Sequence, residues 1–237
     1  MHRCFLPCAA LLVACGGSRR PPLPPPRPRA AAPGVRLRVA NAPLGAQALL
    51  LRADPSGSAE SVRGQLDRLL GLVALDADGT ARFSTEADRP LDVLISAPGR
   101  ALLRARWRPG LDLALAPEGT CRVSVFGPQG DPEEDALALV LDGDGRVLPV
   151  PPELAVSDGR GRLLLTRLPA RPLRVLVASA DEERFAAAEL QVPPGKEASL
   201  TLTLAADEAL ALETLRAVGH PVIEALDAVA SEKEAKR

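Results

Sequence analysis

Short runs of alternating apolar and polar residues fill the sequence from residue 35 to residue 204. In residues 120–125, for example, Cys121, Val123 and Val125 share one face, and this period of two residues indicates a half-buried β-strand. Asp-Gly and Pro-Gly turn signals separate the runs about every 8 to 12 residues, which is typical of an all-β sandwich. The predicted strands are 35–40, 47–53, 72–75, 80–85, 90–97, 100–107, 111–115, 120–126, 136–142, 145–149, 153–157, 162–167, 172–179, 184–192 and 198–204.

The two halves of this region resemble each other. Matching residues recur in the same order, and the alignment pairs Asp76 with Asp158, Gly79 with Gly161, residues 89–91 with residues 171–173, and Pro109-Gly110 with Pro194-Gly195. The sequence therefore predicts two copies of one unit of about 85 residues.

Two segments depart from the β pattern. Within an insertion at residues 55–70, the apolar residues Val62, Leu66, Leu69 and Leu70 fall on one helical face, which predicts a short helix over residues 61–72.

The C-terminal residues predict a helix that begins at Asp207-Glu208 and ends at Gly219, followed by a second helix that begins at Pro221. The second helix carries an apolar stripe made of Val222, Ile223, Leu226 and Val229. This segment either docks on the second sandwich or binds a partner protein.

Composition and charge exclude some classes of function. The chain has 237 residues, of which 46% are hydrophobic and 25% are charged, so it is long enough for one large or two small packed domains. The 29 basic and 30 acidic residues give a net charge of −1. This balance argues against nucleic acid as a partner, because nucleic-acid binders need a strongly positive surface.

The first residues resemble the export signal of a bacterial lipoprotein. A basic start, Met1-His2-Arg3, precedes an uncharged run at residues 4–14, which is shorter than the roughly 20 residues that span a bilayer. Ala14-Cys15, followed by Gly16, resembles the lipobox. The resemblance implies that Cys15 is acylated and becomes the mature N-terminus, and that in a diderm host the protein goes to the outer membrane. An ordinary cleaved signal or a buried N-terminal helix is the alternative.

Residues 16–34 are rich in Pro and Arg, so they favour polyproline II and cannot bury a core. At roughly 3.1 Å per residue, this tether would hold a folded domain up to about 60 Å from the acyl chains. Its arginines have no acidic neighbour. They either contact anionic headgroups or cell-wall carboxylates, or belong to a solvated linker; they are Arg19, Arg20, Arg27 and Arg29.

The second copy resembles the carboxypeptidase regulatory-like domain. Residues 157–165, Leu168-Pro169 and residues 173–177 carry this resemblance, and residues 76–83 match more loosely. Leu163 stands where the family has an aromatic residue. The resemblance implies a prealbumin-like (transthyretin-like) β-sandwich that acts as a non-catalytic accessory module, and some related sandwiches bind glycans or proteins.

The residue content gives little support to catalysis. His2 and His220 are the two histidines of the chain, so a His-based triad or zinc dyad cannot be built in the sandwiches. Residues 133–135 are predicted to form a solvated acidic loop rather than an acid/base pair. Residues 76–79 and 142–145 superficially resemble calcium loops but are predicted to be hairpin turns. We therefore expect no catalytic residue, no metal and no cofactor.

The cysteines and the single tryptophan complete the set of candidates. Cys121 is predicted to be a core residue, and Cys4 and Cys8 lie in the segment that the signal would lose, so no internal disulfide is expected. Trp107 is the one plausible aromatic platform for a sugar. The flanking Arg106 and Arg108 would either pack on its ring or contact an anionic ligand. The alternative is that Trp107 fills the edge of the sandwich.

We expect an all-β chain with two tandem prealbumin-like antiparallel β-sandwiches. The expected divisions are a signal peptide (1–14), a tether (15–34), sandwiches at 35–117 and 118–204, and a C-terminal helical segment (205–237); one fused larger sheet is the alternative to two sandwiches. The expected role is that of a non-catalytic, lipid-anchored cell-envelope protein that binds, scaffolds or adheres to an envelope protein or glycan. A carbohydrate-binding accessory lipoprotein, with peptidoglycan or a polysaccharide as ligand, is the alternative.

Overall fold

The computed structural model describes residues 35–53, 61–84, 90–149 and 155–220. The predicted signal, the predicted lipobox with Cys15, the predicted tether and the second predicted C-terminal helix, which would follow His220, lie outside the described residues. The elements in chain order are β1 Val35–Ala40, β2 Gln47–Arg52, α1 Val62–Asp67, β3 Leu69–Ala74, β4 Thr80–Phe83, β5 Leu91–Ser96, β6 Leu103–Arg106, β7 Asp112–Ala114, β8 Gly119–Phe126, β9 Leu137–Asp142, β10 Val147–Leu148, β11 Arg162–Leu168, β12 Leu173–Ala178, β13 Phe185–Leu190, β14 Glu197–Thr203 and α2 Glu208–Val218.

Strands β1–β7 and β8–β14 form two sandwiches with the same strand order, here called repeat 1 and repeat 2. In repeat 1 the sheets are β4-β1-β7 and β3-β2-β5-β6, and in repeat 2 they are β11-β8-β14 and β10-β9-β12-β13. Adding seven to each strand number of repeat 1 gives repeat 2. The strands pair antiparallel except for β1 with β7 and β8 with β14, which are parallel. The predicted all-β fold and its internal repeat are confirmed.

Each repeat has an aliphatic core between its two sheets. Leu37, Leu50 and Val93 meet in the core of repeat 1, and none of them is exposed to solvent. Cys121 belongs to the core of repeat 2, as predicted, and is also fully buried. Full burial of one large aliphatic side chain contributes about 1.5–3 kcal/mol, so these alternating positions are the main source of stability.

The helix predicted over residues 61–72 is shorter than expected. Ser61 caps α1, because its Oγ accepts a hydrogen bond from the Gly64 amide at 3.1 Å. The helix ends at Asp67, and β3 begins at Leu69 instead of residue 72. The expectation was wrong for residues 69–72, because they satisfy their backbone groups by pairing with β2.

The predicted C-terminal helix is confirmed as α2. The carboxylate of Asp207 accepts hydrogen bonds from the first amides of the helix, and Gly219 ends it in the left-handed conformation at φ 76°. Ala217 packs with Leu176 on the outer face of the four-stranded sheet of repeat 2. The first part of the C-terminal segment therefore docks on repeat 2. No described helix is long and apolar enough to cross a membrane.

The two repeats are joined through buried side chains. Leu94 and Leu102 of repeat 1 belong to the hydrophobic core of repeat 2, and they are 3% and 5% exposed. The Leu102 amide donates to the Arg167 carbonyl oxygen at 2.8 Å. Gln65 Nε2 donates to the Val147 carbonyl oxygen at 2.6 Å. These contacts fix the orientation of one repeat against the other.

The same outer face is covered in both repeats, but by different elements. Leu49 lies opposite Leu94 in repeat 1, and Leu139 lies opposite Leu176 at the equivalent positions of repeat 2. Repeat 2 covers the first pair, whereas α2 covers the second. An apolar outer face on each four-stranded sheet thus explains both the docking of the repeats and the position of the final helix.

Candidate functional site

Trp107 follows β6 at the edge of repeat 1. Its ring packs against the core of that repeat, and the side chain is half-buried. The indole Nε1 donates to the Arg36 carbonyl oxygen at 3.3 Å, and the Trp107 amide donates to the Leu91 carbonyl oxygen at 2.8 Å. Trp107 therefore fills the sandwich edge and also borders the exposed surface around Arg36.

The structure separates Trp107 from one of its two predicted partners. Arg106 points to the other side of the sheet, because side chains alternate along a strand, and its Nε lies 2.7 Å from Asp92 Oδ1. Arg104 also binds this carboxylate, with Nη2 3.1 Å from Asp92 Oδ2. Arg108 is exposed directly after Trp107. Trp107 thus binds the backbone of Arg36, while the guanidinium of Arg106 binds Asp92.

Three exposed arginines lie on the outer side of the sheet β4-β1-β7, and we call this surface the arginine face. Arg36 lies directly opposite Arg82 in the antiparallel pairing of β1 with β4, and Arg38 is two residues further along β1. In the parallel pairing with β7, Asp112 lies opposite Arg38. Opposed like charges destabilise a strand pair, so the fold itself does not favour this arrangement.

The arginine face was not predicted from the sequence. The alternation of Arg36 and Arg38 with buried residues of β1 was visible, and it signals two cations on one exposed side. The missing information was the register of β1 with β4, which places Arg82 opposite Arg36.

Repeat 2 carries no such group at the equivalent positions. Arg122 takes the place of Arg36, and its Nε lies 2.6 Å from Glu197 Oε1. Ser124 and Leu164 take the places of Arg38 and Arg82, as the strand registers show. The hydrogen bond from Arg122 holds the pKa of the Glu197 carboxyl below its ordinary value. The charge on this side of repeat 2 is thus balanced.

The predicted hairpin turns are built by aspartate side chains. Asp158 Oδ1 accepts hydrogen bonds from the Arg160 and Arg162 amides, both at 2.9 Å. These bonds hold the pKa of the Asp158 carboxyl below its ordinary value, because they stabilise its charged form. Asp76 and Asp142 accept equivalent bonds in their own turns. One carboxylate oxygen of each of these aspartates thus holds the backbone of its own turn.

The acidic loop at residues 133–135 is only partly solvated, so that expectation was wrong for Glu133. The two oxygens of Glu133 each accept a hydrogen bond at 2.9 Å from the guanidinium of Arg184. The Glu133 side chain is 14% exposed. This two-pronged ion pair anchors the loop on the turn before β13, and Glu134 remains exposed beside it.

Cys121 has the properties of a core residue and not of a nucleophile. Burial, followed by the charge of Glu197, raises the pKa of the Cys121 thiol to about 11. The thiolate is the reactive form, and very little of it is present near neutral pH. Within the described residues, no group of three or more His, Cys, Asp and Glu side chains is placed to hold a metal ion.

A small apolar cavity lies where α1 meets both repeats. Its volume is about 120 Å³. The lining residues are Leu49, Leu51, Val62, Gln65, Leu66, Leu69, Leu94, Val147 and Pro149. The cavity adjoins the joint between the repeats, where Gln65 reaches β10.

No known protein family matches the sequence, and no curated protein matches it. Solved structures of bacterial pilins align with part of this chain. The minor pilin of Streptococcus agalactiae is 12% identical, with 70% of this chain and 84% of the pilin aligned at a TM-score of 0.32. The shaft pilin of Lactobacillus rhamnosus GG is 9% identical, with 70% and 89% aligned at a TM-score of 0.31.

The major pilin subunit of Bacillus cereus is also 9% identical, with 69% of this chain and 60% of that subunit aligned at a TM-score of 0.32.

Proposed function

We propose that the protein is a non-catalytic module of the cell envelope, carried by an acylated Cys15 and the Pro/Arg-rich tether. The observation that carries this proposal is the shared core of the two repeats. Leu94 and Leu102 are buried in repeat 2, so the two repeats form one rigid unit and are not independent domains joined by a flexible linker. A rigid pair on an extended tether suits a scaffold or an adhesion module.

The chemistry of the described side chains also supports a non-catalytic role. The buried thiol of Cys121 is held in its neutral form, and the Glu133 carboxylate is committed to Arg184. The partly buried Asp92 carboxylate is bound by two arginines. Each of these groups is occupied by a structural contact and is not available as a nucleophile or a general base.

Envelope fractions of the native host test this proposal when they are incubated with the purified chain. We expect an envelope protein or glycan to be retained, with no turnover of glycans or peptides. A Leu94→Asp variant is the control, because a charge in the shared core should separate the repeats and weaken the retention. Turnover of any glycan or peptide by the wild-type chain would refute the non-catalytic role.

A carbohydrate-binding accessory role is the second candidate, and the partial exposure of Trp107 beside Arg36 favours it. The test is retention on peptidoglycan and on cell-surface polysaccharide. Trp107→Phe keeps an aromatic ring at the sandwich edge, so loss of retention in Trp107→Ala but not in Trp107→Phe indicates stacking on a sugar. Equal retention by all three proteins contradicts this role.

A further inference from the structure

Among the described residues, the arginine face concentrates positive charge without a matching carboxylate at one end of repeat 1. Arg36 and Arg82 lie opposite each other at the start of β1, and neither shows an ion pair among the described residues. Two carboxylates, Asp78 and Asp112, border the cavity near Arg38 at the other end of β1. Within the part of the chain that the structure describes, the excess of positive charge therefore lies at the Arg36 end, next to Val35.

That end of the sheet is also where the tether enters. The chain has no Asp or Glu before Asp54, and Arg29, the last arginine of the tether, stands six residues before Val35. Trp107 sits at the same end, with its indole N–H on Arg36 and with Arg108 next to it in sequence. Tryptophan is enriched where proteins meet the headgroup region of a bilayer, because its ring is apolar and its N–H is polar.

We infer that the arginine face of repeat 1 binds a bilayer surface rich in anionic phospholipid headgroups, with Trp107 at the edge of the contact. Guanidinium groups bind phosphate with paired hydrogen bonds, and clusters of Arg next to a membrane anchor bind anionic lipid. The inference rests on the proposed lipid attachment for its biological setting. It adds a second contact, through which repeat 1 lies on the membrane and repeat 2 is held at a fixed angle to it.

The membrane contact explains why two arginines lie opposite each other, which the fold alone does not explain. The Arg36–Arg82 opposition destabilises the isolated sheet, whereas phosphate groups between the side chains would remove the repulsion. Repeat 2 has the same topology with a balanced surface, Arg122 being paired with Glu197. The sandwich therefore does not require arginines at these positions.

Vesicle binding by the full chain carrying Cys15→Ala tests the inference without the acyl anchor. The vesicles are made of phosphatidylcholine, with and without phosphatidylglycerol. We expect binding that requires phosphatidylglycerol and falls with salt, since exposed charges are screened beyond about 8 Å at physiological ionic strength. Because the assay omits acylation, its result is independent of whether Cys15 is modified in the host.

Matched variants separate the arginine face from net charge. The face variant carries Arg36→Gln, Arg38→Gln and Arg82→Gln, and the control carries Arg122→Gln, Arg160→Gln and Arg162→Gln. Both remove three positive charges from exposed positions. Each basic side chain near an anionic surface adds roughly a factor of five to binding, and Arg38 already lies opposite Asp112. The loss of Arg36 and Arg82 should therefore make the face variant bind roughly 25-fold more weakly, with little change in the control.

The single tryptophan of the chain reports on the site of contact. Brominated phosphatidylglycerol should quench the fluorescence of Trp107 in the wild-type chain and in the control variant, but not in the face variant. Circular dichroism and thermal melting establish that both variants are folded. Equal losses in the two variants would overturn the inference, and so would strong binding to a soluble anionic polysaccharide without binding to vesicles.

Discussion

Asp92 and Arg174 occupy equivalent positions in the two repeats and carry opposite charges. Asp92 on β5 lies opposite Arg106 on β6, and Arg174 on β12 lies opposite Glu189 on β13. The distances are 2.7 Å from Arg106 Nε to Asp92 Oδ1 and 2.9 Å from Arg174 Nη1 to Glu189 Oε1. A cross-strand ion pair is therefore present at the same place in both repeats, but the acidic and basic residues have exchanged strands.

The two ion pairs differ in burial, which predicts that they contribute differently to the free energy of unfolding. The Asp92 side chain is 8% exposed, and Arg104, which also binds it, is 10% exposed. Asp92→Ala should therefore lower the free energy of unfolding by about 3 kcal/mol, because it removes a carboxylate from a partly buried cationic site. Glu189→Ala removes the partner at the more exposed position and should cost less than about 1 kcal/mol. Urea unfolding measures both, and similar losses would contradict this assignment.

Gly161, in the hairpin turn that Asp158 holds in repeat 2, should not tolerate a side chain. Gly161 has a φ of +67°, and a Cβ there would collide with the carbonyl oxygen of Val125. Gly99 has nearly the same φ, +68°, but open space around its Cβ position. Gly99→Ala should therefore cost about 1 kcal/mol from backbone strain, and Gly161→Ala at least about 2 kcal/mol more. Equal melting temperatures of the two variants would show that the close approach does not matter.

The buried thiol predicts a loss of stability at alkaline pH. The pKa of Cys121 rises from its ordinary value of 9.0 to about 11 in the folded chain. The neutral thiol is favoured by the fold, so its contribution is complete below about pH 9 and is lost as the pH rises to about 11. The chain has no Tyr, which makes this range easier to interpret. The free energy of unfolding of the wild type should fall more steeply here than that of Cys121→Ala, and parallel curves would contradict the assignment.

The shared core predicts that the repeats loosen when Leu102 is truncated. Leu102→Ala removes a side chain that is 5% exposed and should cost about 2–4 kcal/mol. The segment between the repeats is hydrogen-bonded on both sides, through the Ala101 amide to Ala116 and the Thr120 amide to Lys196. We expect proteolysis between residues 116 and 120 to be slow in the wild type and fast in Leu102→Ala.

Leu44→Ala is the matched control for that experiment. It makes the same chemical change at a residue that is 89% exposed, and it should shift stability by less than about 0.5 kcal/mol. Rapid cleavage of the wild type at residues 116–120 would show that the repeats are independent in solution.

Much of the fold was predictable because strand alternation is a local property. The runs around Leu37 and Val123 identify buried strand faces directly, and the recurring Asp and Gly of the turns reveal the repeat. Residues 69–72 were not predictable, since a short leucine-rich run fits a helix as well as a strand, and pairing with β2 decides between them.

The candidate site depended on information that is not local. The two arginines that flank Trp107 look equivalent in the sequence. Side chains alternate along the strand, however, so Arg106 binds Asp92 on the other face of the sheet, and Arg108 is exposed. The opposition of Arg36 and Arg82 follows from the strand register. Strand register and the contacts between repeats depend on residues that are far apart in the chain. The arginine face could therefore be identified only from the structure.

We propose that this protein is tethered to the envelope through Cys15. The most direct test is the intact mass and membrane partitioning of the protein expressed in its native host, with Cys15→Ala as the control. We predict a mature species that begins at Cys15, carries the mass of acyl chains and partitions with membranes, all of which are lost in the variant. A soluble wild-type protein without an acyl mass would contradict the account.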